Sequence, residues 1–303
     1  MPEIHAVTGA FGYTGSRIAT QLADRGVAVR TLTSAAPPVG SSESIERRPL
    51  ELDDEDALTR ALEGCSVLHN TYWVRFHAGG FDQERAVERS ARLFRAAARA
   101  GLRRIVHVGI ANPAEHSPYR YFRGKARVEG ALRETGLPHS ILRPALLFGE
   151  GGILVNNIAW LLRRAPLFGI FGDGRYGVRP IHVQDLARLA VVEAGEEGER
   201  ALDAVGPERF EYRELVATLA RALGVRPRLA PMPAWTGWLA AKGLGLLTRD
   251  LVLTWEEIGA LVDGLLDSDA PATGERGFSD WAREEAGELG LRWASELGRR
   301  RAG

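Results

Sequence analysis

The segment Gly9-Ala10-Phe11-Gly12-Tyr13-Thr14-Gly15 contains three glycines spaced three residues apart. It follows the apolar run 4–8 and precedes a helical pattern that covers residues 15–24. Glycines between a strand and a helix allow a tight turn, close packing of the helix, and an approach of backbone amides to a phosphate. The segment therefore predicts a dinucleotide site, and a turn with only a packing role is the alternative.

Residues 1–143 alternate between apolar runs and amphipathic stretches, which predicts strands separated by helices. Such alternation gives a parallel sheet with helices on both faces, and ligands bind at the carboxyl ends of its strands. The predicted strands cover residues 4–8, 27–33, 66–70, 104–108 and 139–142, and the predicted helices cover residues 15–24, 53–62, 81–100 and 119–135.

The pattern changes after Pro144. Helices are predicted over residues 155–164 and 183–193, a strand near 200–205 that returns to the sheet, and a mainly helical remainder from residue 211. We therefore predict an α/β protein with a nucleotide-binding domain over residues 1–150 and a smaller, mainly helical substrate or lid domain over residues 151–303.

Composition narrows the class of protein. The 303 residues carry 26% charged side chains and a formal net charge of zero, so nothing indicates a nucleic-acid surface. A single cysteine, Cys65, excludes an internal disulfide and fits a reducing compartment. The first apolar run begins at Ile4, which leaves no room for a signal peptide, so a cytoplasmic location is expected. The sequence does not indicate an oligomeric state.

The longest apolar stretch, residues 232–247, contains Lys242 and several glycines. It is too short to span a bilayer, so core or lid helices are predicted and stable membrane insertion is not. A weak interfacial contact through Trp235 and Trp238 is left open.

Tyr121 and Lys125 lie one helical turn apart in the predicted helix, and Lys125 is one of two lysines in the sequence. A lysine can hold two hydroxyl groups and lower the pKa of a nearby phenol, which points to proton transfer. Composition alone produces this spacing in about one chain in 25. The pair is therefore interpreted as functional only together with the glycine turn and the strand order.

The second predicted strand ends at Leu32-Thr33-Ser34 without the acidic residue that usually holds the ribose 2′-hydroxyl of NAD. Ser34 can donate to a 2′-phosphate instead, with Arg17 and Arg30 near it in sequence. The sequence favours NADP, and NAD is the alternative.

Several motifs together resemble the short-chain dehydrogenase/reductase superfamily. They are the glycine turn, Glu51-Leu52 before an acidic helix, Tyr121 with Lys125, Arg143-Pro144 and residues 181–187. The resemblance is to the extended and atypical branch of NAD-dependent epimerase/dehydratase-like and NmrA-like proteins, and it covers residues 1–205 well. It implies a Rossmann fold and an NAD(P)-dependent oxidoreductase or epimerase-like activity on a small molecule.

The resemblance also implies roles for individual residues. Tyr121 would be the general acid/base, and Lys125 would hold the nicotinamide ribose. Thr71 would line the path to the nicotinamide and Pro144 would follow the flanking strand. Glu51 and Leu52 would lie at the adenine, and the pyrophosphate would bind in the turn formed by Gly9, Phe11, Gly12, Tyr13, Thr14 and Gly15.

One departure from the family concerns the strand before the Tyr121 helix. Relatives usually end this strand with serine or threonine beside the tyrosine, whereas Gly109 stands here. Ser117 or Asn112 are candidates to replace it. Loss of one such donor costs about 10²–10³ in rate, so a slow enzyme is expected. A non-catalytic redox sensor or scaffold, NmrA-like or like a respiratory accessory subunit, is the alternative.

Other polar and aromatic residues leave two interpretations open. Trp73 and Arg75 follow the third predicted strand and either face a substrate or form a packed corner, and Asn156 either faces substrate or caps its helix. His69 and His107 are interpreted as core residues, and no spacing predicts a metal site.

Overall fold

The computed structural model describes residues 3–33, 45–73, 83–248, 250, 252–295 and 298. Strands and helices alternate up to Pro144. In chain order they are β1 (Ile4–Thr8), α1 (Tyr13–Ala23), β2 (Ala28–Leu32), β3 (Glu46–Arg48), α2 (Glu55–Leu62), β4 (Val67–Asn70), α3 (Gln83–Arg99), β5 (Arg104–Val108), α4 (Arg120–Arg133) and β6 (His139–Pro144).

The remaining elements are shorter on average. They are β7 (Leu146–Phe148), α5 (Ile153–Arg164), β8 (Leu167–Phe171), β9 (Gly177–Val178), β10 (Pro180–His182), α6 (Val183–Glu193), β11 (Glu199–Ala204), β12 (Phe210–Glu211), α7 (Tyr212–Ala222), β13 (Arg228–Met232), α8 (Ala234–Thr248), α9 (Trp255–Val262) and α10 (Phe278–Glu284).

Seven strands form the main sheet in the order β11-β6-β5-β4-β1-β2-β3. The pairs from β3 to β6 are all parallel, and β1 pairs with β2 on one side and with β4 on the other. The chain thus reverses its direction of winding at β1 and β4, which opens a crevice at their carboxyl ends. The predicted Rossmann-type α/β fold is confirmed.

The core of this sheet follows from the sequence pattern. All four residues of β4 are buried, and so are Leu93, Phe94 and Ala97 on one face of α3. Each large apolar side chain buried in this way contributes about 1.5–3 kcal/mol to folding. The apolar runs of the sequence therefore correspond to buried elements of this sheet and its helices.

The charged strand β3 was not predicted. It contains Glu46, Arg47 and Arg48, all exposed, and pairs only with β2 at the edge of the sheet. An exposed edge strand has no buried face and so carries no apolar alternation. Helix α1 also begins at Tyr13, two residues before its predicted start.

Two histidines of the sheet are core residues, as predicted. His69 and His107 are fully buried, and His69 Nε2 lies 3.1 Å from Nδ1 of His5. Nδ1 of His107 lies 3.0 Å from the Asn70 amide nitrogen. Burial lowers the pKa of His69 from 6.5 to about 3, and burial followed by the charge of Lys125 lowers the pKa of His107. Both rings are therefore neutral near pH 7.

The chain divides into two compact units by its internal contacts. One comprises residues 1–144 with 186–203, whereas the sequence placed the boundary at residue 150 and predicted only a strand near 200–205 as a later addition. The other comprises residues 145–185 and 204–302. The difference arises because most of α6 and β11 belongs with the main sheet.

The second unit has its own aromatic core around Phe148, Phe278 and Trp281. Five helices contribute to it, together with three two-stranded sheets that were not predicted: β10-β7, β12-β9 and β13-β8. Four of these six strands have only two or three residues, which is too short to leave a clear period in the sequence. Across the described residues of both units, every helix is too short or too polar to cross a membrane.

Candidate functional site

The glycine turn forms a close-fitting cradle between β1 and α1. Gly9 has φ +67°, a conformation that favours glycine, and its carbonyl accepts a 2.8 Å hydrogen bond from the Gly12 amide. A Cβ atom on Gly15 would lie 2.2 Å from the Gly9 carbonyl oxygen, and one on Gly12 would lie 3.1 Å from it. The backbone can pack this tightly only with glycine at these positions.

This cradle fits a dinucleotide pyrophosphate. Helix α1 has 11 residues and begins directly after Gly12, so its first amides and its dipole face the turn. Thr71 borders the turn from the end of β4, because its hydroxyl donates to the Thr8 carbonyl at 2.6 Å. Phe11, Tyr13 and Thr14 are partly exposed in the same turn.

The segment at the predicted adenine end is fixed to α3. Glu51 is exposed and Leu52 is buried, and the Leu52 carbonyl accepts from Arg92 at 2.7 Å. The next residue, Asp53, binds three arginines of α3: Arg85, Arg89 and Arg92. Its hydrogen bond from Arg89 is the main cause that lowers the pKa of Asp53 well below its ordinary value. The position of Glu51 therefore depends on this cluster.

The basic residues near the end of β2 differ from those suggested by the sequence, because they belong to the neighbouring strand β3. Arg30, suggested as a 2′-phosphate ligand, is buried and donates to Glu46 at 2.8 Å and to the Glu63 carbonyl at 2.6 Å, so that suggestion is wrong. Ser34 lies outside the described residues. Sequence reasoning missed Arg47 and Arg48, which the parallel register places opposite Thr31 and Leu32. Only the pairing of β3 reveals them.

Arg17, the other suggested phosphate ligand, lies within α1. Its guanidinium donates to the Ser16 hydroxyl at 3.0 Å and stands over the Tyr13 ring, 5.7 Å from the centroid. The residue is partly exposed. It therefore remains close to the turn that begins the helix.

Lys125 reaches the carboxyl end of β5 from α4. Its side chain is buried, and Nζ donates to the Val108 carbonyl at 3.1 Å. Burial lowers the pKa of Lys125 from 10.5 to about 7, and the negative charge of Glu129 acts in the opposite direction. A lysine with this pKa can change its charge near neutral pH.

Trp73 covers both members of the predicted pair. The Lys125 ammonium lies 4.6 Å from the centroid of its indole, and the Tyr121 ring meets it edge-on with centroids 5.7 Å apart. A Cβ atom on Gly124 would approach Cη2 of the indole to 3.0 Å, so glycine at this position leaves room for the ring. Of the two interpretations of this loop, the structure shows Trp73 packed on α4. Arg75 lies outside the described residues.

Glu129 occupies the space that a side chain on Gly109 would enter. The Glu129 side chain is buried and accepts from Arg143 twice, at 3.0 and 2.6 Å, and from Arg133 at 3.2 Å. A Cβ atom on Gly109 would lie 3.2 Å from Oε1 of Glu129. Sequence reasoning missed Glu129, although it lies one turn after Lys125 on the same face of the helix.

The two candidates for the missing hydroxyl differ in their surroundings. Ser117 is buried, and its hydroxyl oxygen accepts from the Tyr119 amide at 3.2 Å, which shapes the turn before α4. Asn112 is exposed with φ +51°. Pro144 ties the ends of two strands together, because its carbonyl accepts from the Ala111 amide at 2.9 Å.

Asn156 belongs to the second unit and binds backbone. Its amide nitrogen donates to the Arg292 carbonyl at 2.9 Å, and its oxygen accepts from the Gly290 amide at 3.0 Å. It also borders a cavity of about 580 Å³ that Trp281 and Trp293 help to line. Among the described residues of both units, histidine, cysteine and acidic side chains form no cluster of three that could hold a metal.

Comparison with known proteins agrees with this geometry. The profile of a family described as NAD(P)H-binding matches residues 9–156, which include the glycine turn, Thr71, Tyr121, Lys125 and Pro144. Most of the main sheet lies within this match. The chain therefore contains an NAD(P)H-binding domain.

Three characterised relatives cover most of the chain. A (4-alkanoyl-5-oxo-2,5-dihydrofuran-3-yl)methyl phosphate reductase of Streptomyces griseus is 30% identical over 72% of this chain and 73% of its own. Ceramide reductase of Caulobacter vibrioides is 27% identical over 75% and 73%. Subunit 9 of the NADH dehydrogenase 1 alpha subcomplex of Arabidopsis thaliana is 24% identical over 76% of this chain. The match spans 60% of that subunit's length.

Solved structures share the fold. Triphenylmethane reductase of Citrobacter sp., complexed with NADP(H), has a TM-score of 0.72 at 19% identity and covers 94% of this chain and 99% of its own. A nucleoside-diphosphate-sugar epimerase of Staphylococcus aureus has a TM-score of 0.69 at 17% identity and covers 98% and 99%. The fold, the NAD(P)H-binding domain and the similarity to the Streptomyces reductase thus agree with the motifs, and the chain belongs to the extended and atypical branch of the short-chain dehydrogenase/reductase superfamily.

Proposed function

We propose that the protein is an NADPH-dependent reductase of a small molecule, with Tyr121 as general acid and Lys125 as the residue that holds the nicotinamide ribose. The observation that carries this proposal is the position of Lys125 at the carboxyl end of β5, in the same unit as the glycine cradle. Ligands of such sheets bind at this edge. An epimerase-like reaction would use the same two residues.

The proposed roles follow from side-chain chemistry. When bound, the cofactor supplies a hydride to the substrate. The Tyr121 hydroxyl would donate a proton to the substrate oxygen, and a nearby ammonium stabilises the phenolate that remains. Lys125 can provide this charge and still has donors for two ribose hydroxyls, because one bond to Val108 uses only one of its three protons.

Two features support NADPH over NADH. The described end of β2, Leu32 and Thr33, carries no acid to bind the ribose 2′-hydroxyl. Strand β3 brings the exposed side chains of Arg47 and Arg48 to the same edge. Arg48 pairs with Glu46 at 2.7 Å, so Arg47 is the stronger candidate for a 2′-phosphate ligand.

The direction of the reaction is proposed from the relatives. Two of them are reductases by name, and their names specify a ceramide and an alkanoyl-bearing phosphate. A carbonyl compound with an alkyl chain is therefore the substrate class to assay first.

Binding and turnover test the proposal separately. NADPH and NADH are titrated by quenching of tryptophan fluorescence, and we expect NADPH to bind more tightly. Arg47→Glu should weaken NADPH binding about tenfold or more and leave NADH binding unchanged. Arg226→Glu, an exposed site in the second unit with the same change of charge, is the matched control. Equal losses for both nucleotides would contradict the 2′-phosphate assignment.

Turnover is tested at Tyr121. Tyr121→Phe should keep NADPH binding and lower the rate of reduction by about 10² or more. Tyr119→Phe, at the start of the same helix, is the control and should keep both properties. Unchanged turnover in Tyr121→Phe would remove the tyrosine from the mechanism.

A second candidate function is a non-catalytic NADPH-binding sensor or scaffold. It is favoured by Gly109, which supplies no hydroxyl at the end of β5 and at which a Cβ atom would lie 3.2 Å from Oε1 of Glu129. The similarity to a respiratory subunit agrees with it. Transfer of label from [4-²H]NADPH to any acceptor would exclude this candidate, whereas tight binding without transfer would support it.

A further inference from the structure

We propose that Glu129 is a positioning residue for Lys125: held by Arg143, its buried carboxylate favours the ammonium form of the Lys125 side chain at the end of β5. The part of this inference that concerns cofactor binding rests on the function proposed above. The electrostatic part concerns this chain alone and can be measured without any ligand.

Three ionisable side chains lie along one face of α4. Tyr121, Lys125 and Glu129 follow one another at intervals of four residues, so they lie in a row on one face of the helix. Lys125 and Glu129 are 3% and 2% exposed. Opposite charges one turn apart attract each other, and the attraction is stronger in a buried setting than in water.

Lys125 and Glu129 both lie near the end of β5. Lys125 binds the Val108 carbonyl, and Oε1 of Glu129 lies 3.2 Å from the Cβ position of the next residue, Gly109. The Gly109 amide donates to the Leu142 carbonyl at 2.7 Å, and Arg143 follows Leu142 and binds Glu129 with two hydrogen bonds. The two hydrogen bonds from Arg143 thus fix the carboxylate at the end of β5, on the face of α4 that carries Lys125.

The charge of Lys125 depends on the charged and aromatic side chains around it. Burial, followed by the charge of Lys125, lowers the pKa of His107 of β5, so this ring is neutral, and the Trp73 indole covers the ammonium. Arg143 of β6 and Arg133 of α4 both face Glu129 rather than the lysine. Among the described residues, Glu129 is the acidic side chain whose negative charge favours the ammonium form of Lys125.

The experiment follows both lysines by NMR. Lysine labelled with ¹³C at Cε gives two signals, Lys125 and the exposed Lys242, which serves as an internal reference. In the ligand-free protein, Glu129→Gln should move the titration midpoint of Lys125 to lower pH by about one pH unit or more. Glu129→Asp keeps the charge and should restore most of the shift.

A matched control separates charge from packing. Arg133→Met removes a cation from Glu129 and leaves the carboxylate, so the Lys125 midpoint should stay or move to higher pH. A midpoint that is unchanged in Glu129→Gln, or that falls equally in Arg133→Met, would overturn the inference. Glu129→Gln leaves the Arg143 guanidinium without its partner. If that variant does not fold, Glu129→Gln is combined with Arg143→Met, which removes the guanidinium. The Lys125 midpoint of the double variant should then lie at lower pH than that of Arg143→Met alone.

A second experiment measures the affinity of the variants for NADPH at two pH values. NADPH affinity of Glu129→Gln should fall about tenfold at pH 8 and change less at pH 6, since the ammonium is lost at lower pH than in the parent. If Lys125→Met binds NADPH as tightly as the parent, the proposed ribose contact fails. If Lys125→Met loses binding while Glu129→Gln follows the pH curve of the parent, only the role of Glu129 fails.

Discussion

Lys125→Met should stabilise the ligand-free protein at neutral pH while it removes cofactor binding. Folding lowers the pKa of Lys125 from 10.5 to about 7, so the unfolded chain binds more protons between these values and stability rises with pH across this interval. At pH 7 the cost of burying this lysine is about 4 kcal/mol, from 1.36 kcal/mol per pKa unit.

Methionine has a similar length and no charge, so the substitution removes this cost. It also removes the contact of the ammonium with Trp73, worth about 0.5–2 kcal/mol, and the hydrogen bond to Val108, worth about 1 kcal/mol. The net gain in the free energy of unfolding at pH 7 should be about 1–3 kcal/mol. At pH 10 the cost of burial falls below about 1 kcal/mol, so the gain should disappear.

Urea unfolding followed by circular dichroism at pH 7 and pH 10 measures this difference. Lys242→Met is the matched control, because Lys242 is exposed and its loss should change stability by less than about 0.5 kcal/mol at either pH. A Lys125→Met protein that is less stable than the parent at pH 7, or whose difference from the parent is the same at both pH values, would refute the reasoning.

Three further predictions follow from the geometry. Gly15→Ala places a Cβ 2.2 Å from the Gly9 carbonyl, so it should abolish NADPH binding in a fluorescence titration and lower the melting temperature. Gly124→Ala forces the Trp73 indole aside, which a shift in tryptophan emission should report, whereas Ala126→Gly on the same helix should not change the emission. Because burial lowers the pKa of His69 from 6.5 to about 3, the unfolded state binds the extra proton below pH 6.5, and stability is lost as the pH falls. Between pH 8 and 5 the free energy of unfolding should drop by about 2 kcal/mol from this residue, and urea titrations of His69→Gln should show a smaller drop than the parent.

The sequence predicts much of the fold because the inner strands of the main sheet, such as β4 and β5, are buried and read as apolar runs. It does not predict β3, whose Glu46-Arg47-Arg48 lies exposed at the edge of the sheet. Four of the six strands in the small sheets of the second unit have only two or three residues, which show no period.

The candidate site was predictable where it depends on a local pattern. The glycine spacing and the four-residue interval between Tyr121 and Lys125 can be read directly, and the structure places the glycine turn at the start of α1 and the pair on α4. Contacts between residues far apart in the sequence could not be predicted from the sequence. The cover formed by Trp73 joins residues about fifty positions apart in sequence, and the burial of Arg30 depends on Glu46 and Glu63.

The crowding between position 109 and Glu129 also limits which side chain position 109 can hold. A serine there would bring its Cβ to 3.2 Å from the Glu129 carboxylate, and loss of Glu129 alone would leave Arg143 without its bidentate partner. Loss of Glu129 relieves the crowding at position 109, whereas a serine at position 109 gives Arg143 no new partner, so the effects of the two replacements are coupled. A hydroxyl at position 109 is therefore accommodated best when residues 129 and 143 are changed with it.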